Sequence, residues 1–441
     1  MRYPQVLQRA FSGINSPAKH LKHLSNTTPE IYTFAASTIS SSASIHTLPN
    51  ELLEEIFLHC CSYTSDNHFV RPNSREAPLL LCQISSHWRQ LAQSMPALWS
   101  SLTLKHLSGL GFDLSIGRQW LNMSKDTSLS LEAASGYVPD VYKSLRYEVY
   151  VEDAFSLVLE NVHRWKILSV QLNDSLAARF LGVPDRSSPQ LEGIKISIPR
   201  SISKDSMEAL PSKLSSFKRL RRLTWSTRST PSSFLSVPWS QLTHIEILCP
   251  LSPSTCLAIL KQSLQAVDIY ISCIKEADSS AIEQTIVLPN VKYFRLHSRS
   301  DAGEVLRHLT LPALHTLQLF NKRERRLTCD YQALEDFLVR SQCSLQQLIF
   351  TDLEGTDEDI YHYLQLPILL SIPLVIFTTM PLTGRISDLL RSSSVRELQS
   401  RVQVHDRQVG WSPNSDDNIV LHHLKFITLF RNVYCNQSWQ Y

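Results

Sequence analysis

The stretch Leu242-Thr243-His244-Ile245-Glu246-Ile247 carries the pattern that decides the fold of most of this chain. Its first, fourth and sixth positions are apolar, and the positions between them are polar. In an extended strand, successive side chains point to opposite faces. The pattern therefore predicts a β-strand that buries Ile245 and Ile247 on one face and exposes His244 and Glu246 on the other.

The same pattern recurs at intervals of about 22 to 31 residues, close to the period of leucine-rich repeats. The instances are Trp165/Leu168/Val170, Leu191/Ile194/Ile196, Leu220/Leu223/Trp225, Leu242/Ile245/Ile247, Leu264/Val267/Ile269, Val291/Phe294/Leu296, Leu314/Leu317/Leu319 and Leu345/Leu348/Phe350. Helix-like segments precede two of these strands, at Glu152 to His163 and at Tyr331 to Arg340. Stacked units of one strand and one helix bury a core that no single unit can bury. Residues 105–441 are therefore predicted to form an α/β fold, an irregular leucine-rich-repeat solenoid with a curved parallel sheet and outer helices.

The residues between the apolar positions should form an open face of this sheet, because side chains alternate along a strand. This predicted target-binding face comprises Lys195, Arg222, Thr224, His244, Glu246, Asp268, Tyr293, Arg295, Thr316 and Gln318. It mixes both charges with an aromatic ring and hydrogen-bonding groups. Such a mixture suits a polar protein surface better than a uniform polyanion. The alternative is a solvated strand face without a ligand.

A second stretch, from Leu48 to Phe57, predicts an amphipathic helix near the start of the chain. Pro49 favours a helix start there, because the first helical N–H groups have no partner in any case. The apolar residues cover roughly half of the helix circumference, whereas a one-sided surface helix needs a stripe of about 100°. These residues are Leu48, Leu52, Leu53, Ile56, Phe57 and Cys60. The excess indicates a second apolar contact, beyond the helix's own core. A further helix is predicted from Leu79 to Ala92, with Leu80, Ile84, Trp88 and Leu91 on one face.

These N-terminal helices resemble the F-box, the module that docks substrate receptors onto the Skp-type adaptor of cullin-RING ubiquitin ligases. The matching residues are Leu48-Pro49, Glu51-Leu52, Ile56-Phe57, Trp88-Arg89 and Pro96-x-Leu98-Trp99, with the lead-in Arg75 to Leu81 of F-box proteins from mushroom-forming fungi. Two departures are the long loop from Ser62 to Ala77 and Ser85-Ser86-His87 before the Trp. The resemblance implies a helical module at residues 45–104. It also implies an adaptor-binding surface of Leu48, Pro49, Leu52, Leu53, Ile56 and Phe57, with Trp88 and Trp99 either shared with the adaptor or internal.

Composition limits the remaining function classes. The formal net charge of +3 is too small to predict nucleic-acid binding by charge alone. Nine cysteines without a Cys-x-x-Cys pair indicate reduced thiols in the cytosol or nucleus. No uninterrupted apolar run reaches the length of a membrane span. Residues 1–44 are basic and rich in serine, which predicts a disordered tail or, alternatively, a mitochondrial transit peptide.

No catalytic motif emerges from the sequence. It contains no Gly-x-Ser-x-Gly elbow, phosphate-binding loop or dinucleotide fingerprint. The acids between Asp352 and Asp359 and the pair His422-His423 are more typical of a helix start and a surface pair than of metal ligands. The basic clusters Lys218 to Arg222 and Lys322 to Arg326 are expected in loops or at strand rims. We therefore predict no enzyme activity, cofactor or metal. The favoured hypothesis is a ubiquitin-ligase substrate receptor that binds an adaptor, a cullin and an unidentified target protein. The alternative is a repeat scaffold without a ubiquitin role.

Overall fold

The computed structural model describes a defined part of the chain. The described residues are 45, 48–61, 69–105, 113–133, 145–185, 187–199, 202–274, 285–298, 302–321, 330–353, 363, 366–379 and 402–406. Several sequence predictions lie outside them, namely those on residues 1–44, on the cluster Lys322 to Arg326, on Glu354 to Asp359 and on His422-His423. The chain forms two compact units, Met1–Trp165 and Lys166–Tyr441. The first unit thus extends beyond the helical module predicted for residues 45–104.

The first unit combines helices with a short parallel strand pair. Its helices are α1 (Asn50–Cys60), α2 (Leu81–Ile84), α3 (Ser86–Ser94), α4 (Leu114–Met123) and α5 (Leu145–Glu160), with a 3-10 turn at Pro96–Trp99. Strand β1 (Ser101–Thr103) pairs in parallel with β2 (Leu129–Ala133). Helix α5 packs on β2, and α4 contacts both α5 and the 3-10 turn. The strand pair explains why this unit continues past residue 104.

Helix α1 begins close to where the sequence predicted it. Pro49 is the N-cap residue, and its carbonyl oxygen accepts hydrogen bonds from the N–H groups of Leu52 and Leu53 at 3.1 and 3.2 Å. The single helix predicted from Leu79 to Ala92 is wrong. The helix is interrupted at Ser85, whose backbone is extended (φ −155°, ψ 166°). The Ser85 Oγ accepts a hydrogen bond from the backbone N–H of Trp88 at 3.1 Å. A serine that caps a new helix favours this break.

The second unit contains a large parallel sheet. Its described strands are β3 (Trp165–Gln171), β4 (Gly193–Ile198), β5 (Arg222–Thr227), β6 (His244–Leu248), β7 (Asp268–Ile274), β9 (Tyr293–Ser298), β11 (Thr316–Asn321), β12 (Gln347–Leu353), β13 (Leu374–Thr379) and β14 (Val402–Asp406). They lie in that order, and each pairs in parallel with the next. Two short strands, β8 (Ile286–Val287) and β10 (Leu309–Thr310), pair separately. The mixed α/β class and the parallel sheet are thus confirmed.

Helices connect only some of these strands. The described helices of the second unit are α6 (Asp174–Leu181), α7 (Lys204–Leu214), α8 (Pro253–Gln262), α9 (Gly303–Leu306) and α10 (Tyr331–Ser341). Between β5 and β6 the connection consists of 3-10 turns at Ser232–Ser236 and Trp239–Gln241. There Phe234 packs on Trp225 and Trp239, with ring centroids 5.3 and 5.2 Å apart. Bulky aromatic rings occupy the core position that a helix fills elsewhere, so the expectation of a helix in every unit is wrong here.

The predicted apolar triplets form the core. Each residue of every predicted triplet is at most 5% exposed, except in the triplet at β7. There Leu264 is 50% exposed, whereas Ala266, Ile269 and Ile271 are completely buried. The predicted apolar triplet at this strand is therefore wrong, because the buried triplet lies two residues later in the sequence. A shift by two keeps each side chain on its face but moves it along the strand.

Candidate functional site

One side of α1 packs into the core of the first unit. Leu53 and Phe57 are completely buried, and the Phe57 ring lies 4.9 Å from the Trp88 ring, centroid to centroid. Trp88 and Trp99 are 8% and 1% exposed. The indole N–H of Trp99 donates to the Ala92 carbonyl at 2.8 Å. Four residues of the predicted adaptor-binding set are thus internal. The sequence prediction allowed this for the two tryptophans, but it placed Leu53 and Phe57 on the adaptor-binding surface.

The opposite side of α1 carries exposed apolar side chains. Leu52 is 52% exposed and Ile56 is 37% exposed. They are four residues apart, so they are neighbours on the helix surface. Pro49 is exposed next to them and Leu48 is half-buried. We call Pro49, Leu52 and Ile56 the α1 stripe.

Two further apolar side chains are exposed because the second helix is broken at Ser85. Leu80 is 40% exposed and Ile84 is 52% exposed, whereas Trp88 and Leu91 are buried. The sequence predicted all four on one face of a single helix. The missed signal is Ser85, which caps α3 and separates it from α2.

The Trp88 indole N–H is buried and finds no hydrogen-bond partner among the residues that the structure describes. Other buried indoles in the first unit differ in this respect: those of Trp120 and Trp165 donate to Ser101 O and Val158 O, both at 3.0 Å. An unsatisfied buried donor costs about 1–3 kcal/mol. The Trp88 ring is therefore well packed, but its indole N–H is an unsatisfied donor that reduces stability.

The outward face of the large sheet brings together all the predicted target-binding residues. Strand register places them in two adjacent rows. The first row contains Arg222, His244, Asp268, Tyr293 and Thr316, and the second contains Lys195, Thr224, Glu246, Tyr270, Arg295 and Gln318. The predicted triplet Leu264/Val267/Ile269 aligns Asp268 with Glu246, but the structure pairs Tyr270 with Glu246 instead. This error follows from the two-residue frame error at β7.

The two acids of this face are already engaged. Asp268 Oδ1 accepts from Arg295 Nη2 at 2.9 Å. The Arg295 guanidinium also lies over the Tyr270 ring, 5.1 Å from its centroid, a cation–π distance. Glu246 Oε2 accepts from Thr224 Oγ1 at 2.8 Å. The charges of Asp268 and Arg295 are therefore paired with each other, whereas Glu246 accepts a hydrogen bond from a neutral hydroxyl and keeps its charge.

His244 lies beside these groups and is held in its neutral form. Burial lowers its pKa first, and the positive charges of Arg222 and Arg295 lower it further, while Asp268 acts in the opposite direction. Its Nδ1 is 2.9 Å from Thr243 Oγ1. Since an unperturbed histidine titrates near pH 6.5, His244 adds no charge to the face near neutral pH.

A concave region of about 750 Å³ lies near the ends of α6 and α7. Among its lining residues are Asp185, Lys213 and Lys218, but no histidine, cysteine or glutamate. Lys213 Nζ donates to Asp185 Oδ1 at 2.8 Å and to the Val183 carbonyl. Lys218 Nζ donates to Ser215 O at 3.2 Å. Both lysines are thus engaged within the chain, and the lining pairs no base with a nucleophile.

The described residues contain no group of three or more His, Cys, Asp and Glu side chains arranged to hold a metal ion. None of the described helices has the length and apolar character of a membrane span. Comparison with known proteins gives no assignment, since the sequence matches no family model and no curated protein matches it.

Proposed function

We propose that this protein is the substrate-recognition subunit of a cullin-RING ubiquitin ligase. In this proposal the N-terminal helices form an F-box that docks on a Skp-type adaptor, and through it on a cullin. The large sheet belongs to a degenerate leucine-rich-repeat array that binds a target protein.

The exposed α1 stripe is the observation that carries the proposal. Helix α1 is anchored by completely buried Leu53 and Phe57, yet Leu52 stays 52% exposed on its other side. Exposed apolar groups that adjoin one another are typical of protein-binding surfaces. The stripe falls on residues that match the F-box pattern, which supports the adaptor as its partner. In this arrangement the adaptor contacts the α1 stripe, and the buried side chains beneath it hold α1 in place without contacting the adaptor. These side chains are Leu53, Phe57, Trp88 and Trp99.

The outward face of the large sheet supports the second half of the proposal. Its rows present Arg222, Tyr293 and Gln318 in fixed register, on strands that are held by complete burial of their other face. A rigid surface with charged, aromatic and hydrogen-bonding groups loses little entropy when it binds a partner.

The mechanism in this proposal is proximity. Binding the target and the adaptor on one chain converts an intermolecular attack by a target lysine into an effectively intramolecular one. The chain itself contributes no reacting group.

Co-purification with the adaptor tests the proposal. The double variant Leu52→Ala with Ile56→Ala should abolish co-purification, because each apolar anchor at the centre of an interface contributes about 2 kcal/mol or more. A matched control is Leu264→Ala with Val339→Ala, which removes side chains that are 50% and 59% exposed in the second unit. The control should retain the adaptor. Wild-type protein that fails to bind the adaptor, or a Leu52/Ile56 variant that still binds it, would refute the proposed docking.

A scaffold without a ubiquitin role is the second candidate. One observation favours it: Leu102 on β1 and Leu104 just after it are buried like the residues of a repeat strand, and Trp99 precedes them at the repeat spacing. The strand β1 would then carry the pattern of a repeat strand instead of belonging to a separate docking module. Under this hypothesis the protein is soluble when expressed alone, and co-expression with the adaptor leaves its yield unchanged.

A further inference from the structure

We draw no further inference here: the strongest candidate, the surface patch of exposed cations Lys218, Arg219, Arg221 and Arg222 that runs from the end of α7 to the start of β5, carries none, because nothing in the structure shows what covers it.

Discussion

Two tryptophans of the first unit should lose different amounts of stability on the same substitution. Trp88→Phe and Trp99→Phe remove the same atoms from buried positions, so the loss of apolar contact is similar for both. Trp99→Phe also removes the 2.8 Å bond to Ala92 O, which then keeps only a weak bond from Met95 N–H at 3.4 Å. Trp88→Phe removes a buried donor that no described residue satisfies, and it preserves an aromatic ring against Phe57.

The difference can be estimated from these contacts. Losing the Trp99 bond costs about 1 kcal/mol, and removing the unsatisfied Trp88 donor recovers about 1 kcal/mol or more. Trp99→Phe should therefore be less stable than Trp88→Phe by about 2 kcal/mol. Two units unfold in this chain, so a single denaturation midpoint is a poor measure. Hydrogen exchange of peptides from α3, followed by mass spectrometry, reports the local free energy of opening.

Equal protection of α3 in both variants would refute this reasoning, since it would mean that the Trp88 donor is satisfied in solution. Adaptor binding provides a second readout. If Trp88 supports the docking surface from below, Trp88→Phe retains the adaptor. A selective loss of adaptor by a well-folded Trp88→Phe variant would place its indole N–H in the interface.

Three further predictions concern other parts of the chain. Arg340→Met should lower the local free energy of opening of α10 by about 2 kcal/mol, because the guanidinium donates to Leu306 O at 2.7 Å and its loss leaves that carbonyl unsatisfied. Hydrogen exchange of peptides from α10 measures this quantity, and unchanged protection would contradict the prediction. Iodoacetamide near neutral pH should alkylate the exposed Cys60 but spare Cys256, because burial raises the pKa of the Cys256 thiol to about 12. Peptide mass spectrometry measures the labelling of each cysteine, and equal labelling of both in the folded protein would contradict the burial of Cys256. In the 3-10 turn Ser232–Ser236, backbone N–H and hydroxyl groups donate hydrogen bonds to Glu208 and lower its pKa. The resulting stabilisation is present above about pH 4.3, which is the pKa of glutamate in an unfolded chain. It is lost as the pH falls through the lower pKa of the folded protein. Glu208→Gln should flatten the acid limb of thermal stability, and an identical acid limb would refute the role.

The strand pattern was predictable because most repeat strands place large apolar residues at every core position. The strand β7 shows the limit of this approach. Leu264 is apolar and Ala266 is small, so the frame beginning at Leu264 has the more apolar first position, although the structure buries Ala266 and exposes Leu264. Both frames put Asp268 outward, so the alternation of side chains cannot distinguish them. Cross-strand pairing decides between them, and one strand's sequence does not contain that information.

The contacts among outward residues were less predictable than their positions. All the predicted residues lie on the outward face, but the pairing of Arg295 with Asp268 and Tyr270 depends on the register between β7 and β9. Register arises from the packing of the opposite face and from connection lengths, both of which are irregular here. The exposure of Leu80 and Ile84 was missed for a different reason. Helical periodicity continues through Ser85, but the capping hydroxyl ends one helix and starts another.

The order of strands in the large sheet has a consequence for biosynthesis. Apart from β8 and β10, which pair separately, each described strand from β3 to β13 pairs with the next strand of the large sheet, and the two partners lie close together in the chain. Such local topology permits rapid pairing, because little loop-closure entropy must be overcome. As the polypeptide leaves the ribosome, each newly completed strand can pair with the strand before it, because no distant segment of the chain is required. We expect ribosome-bound intermediates of increasing length to acquire protease resistance in steps, one for each added strand.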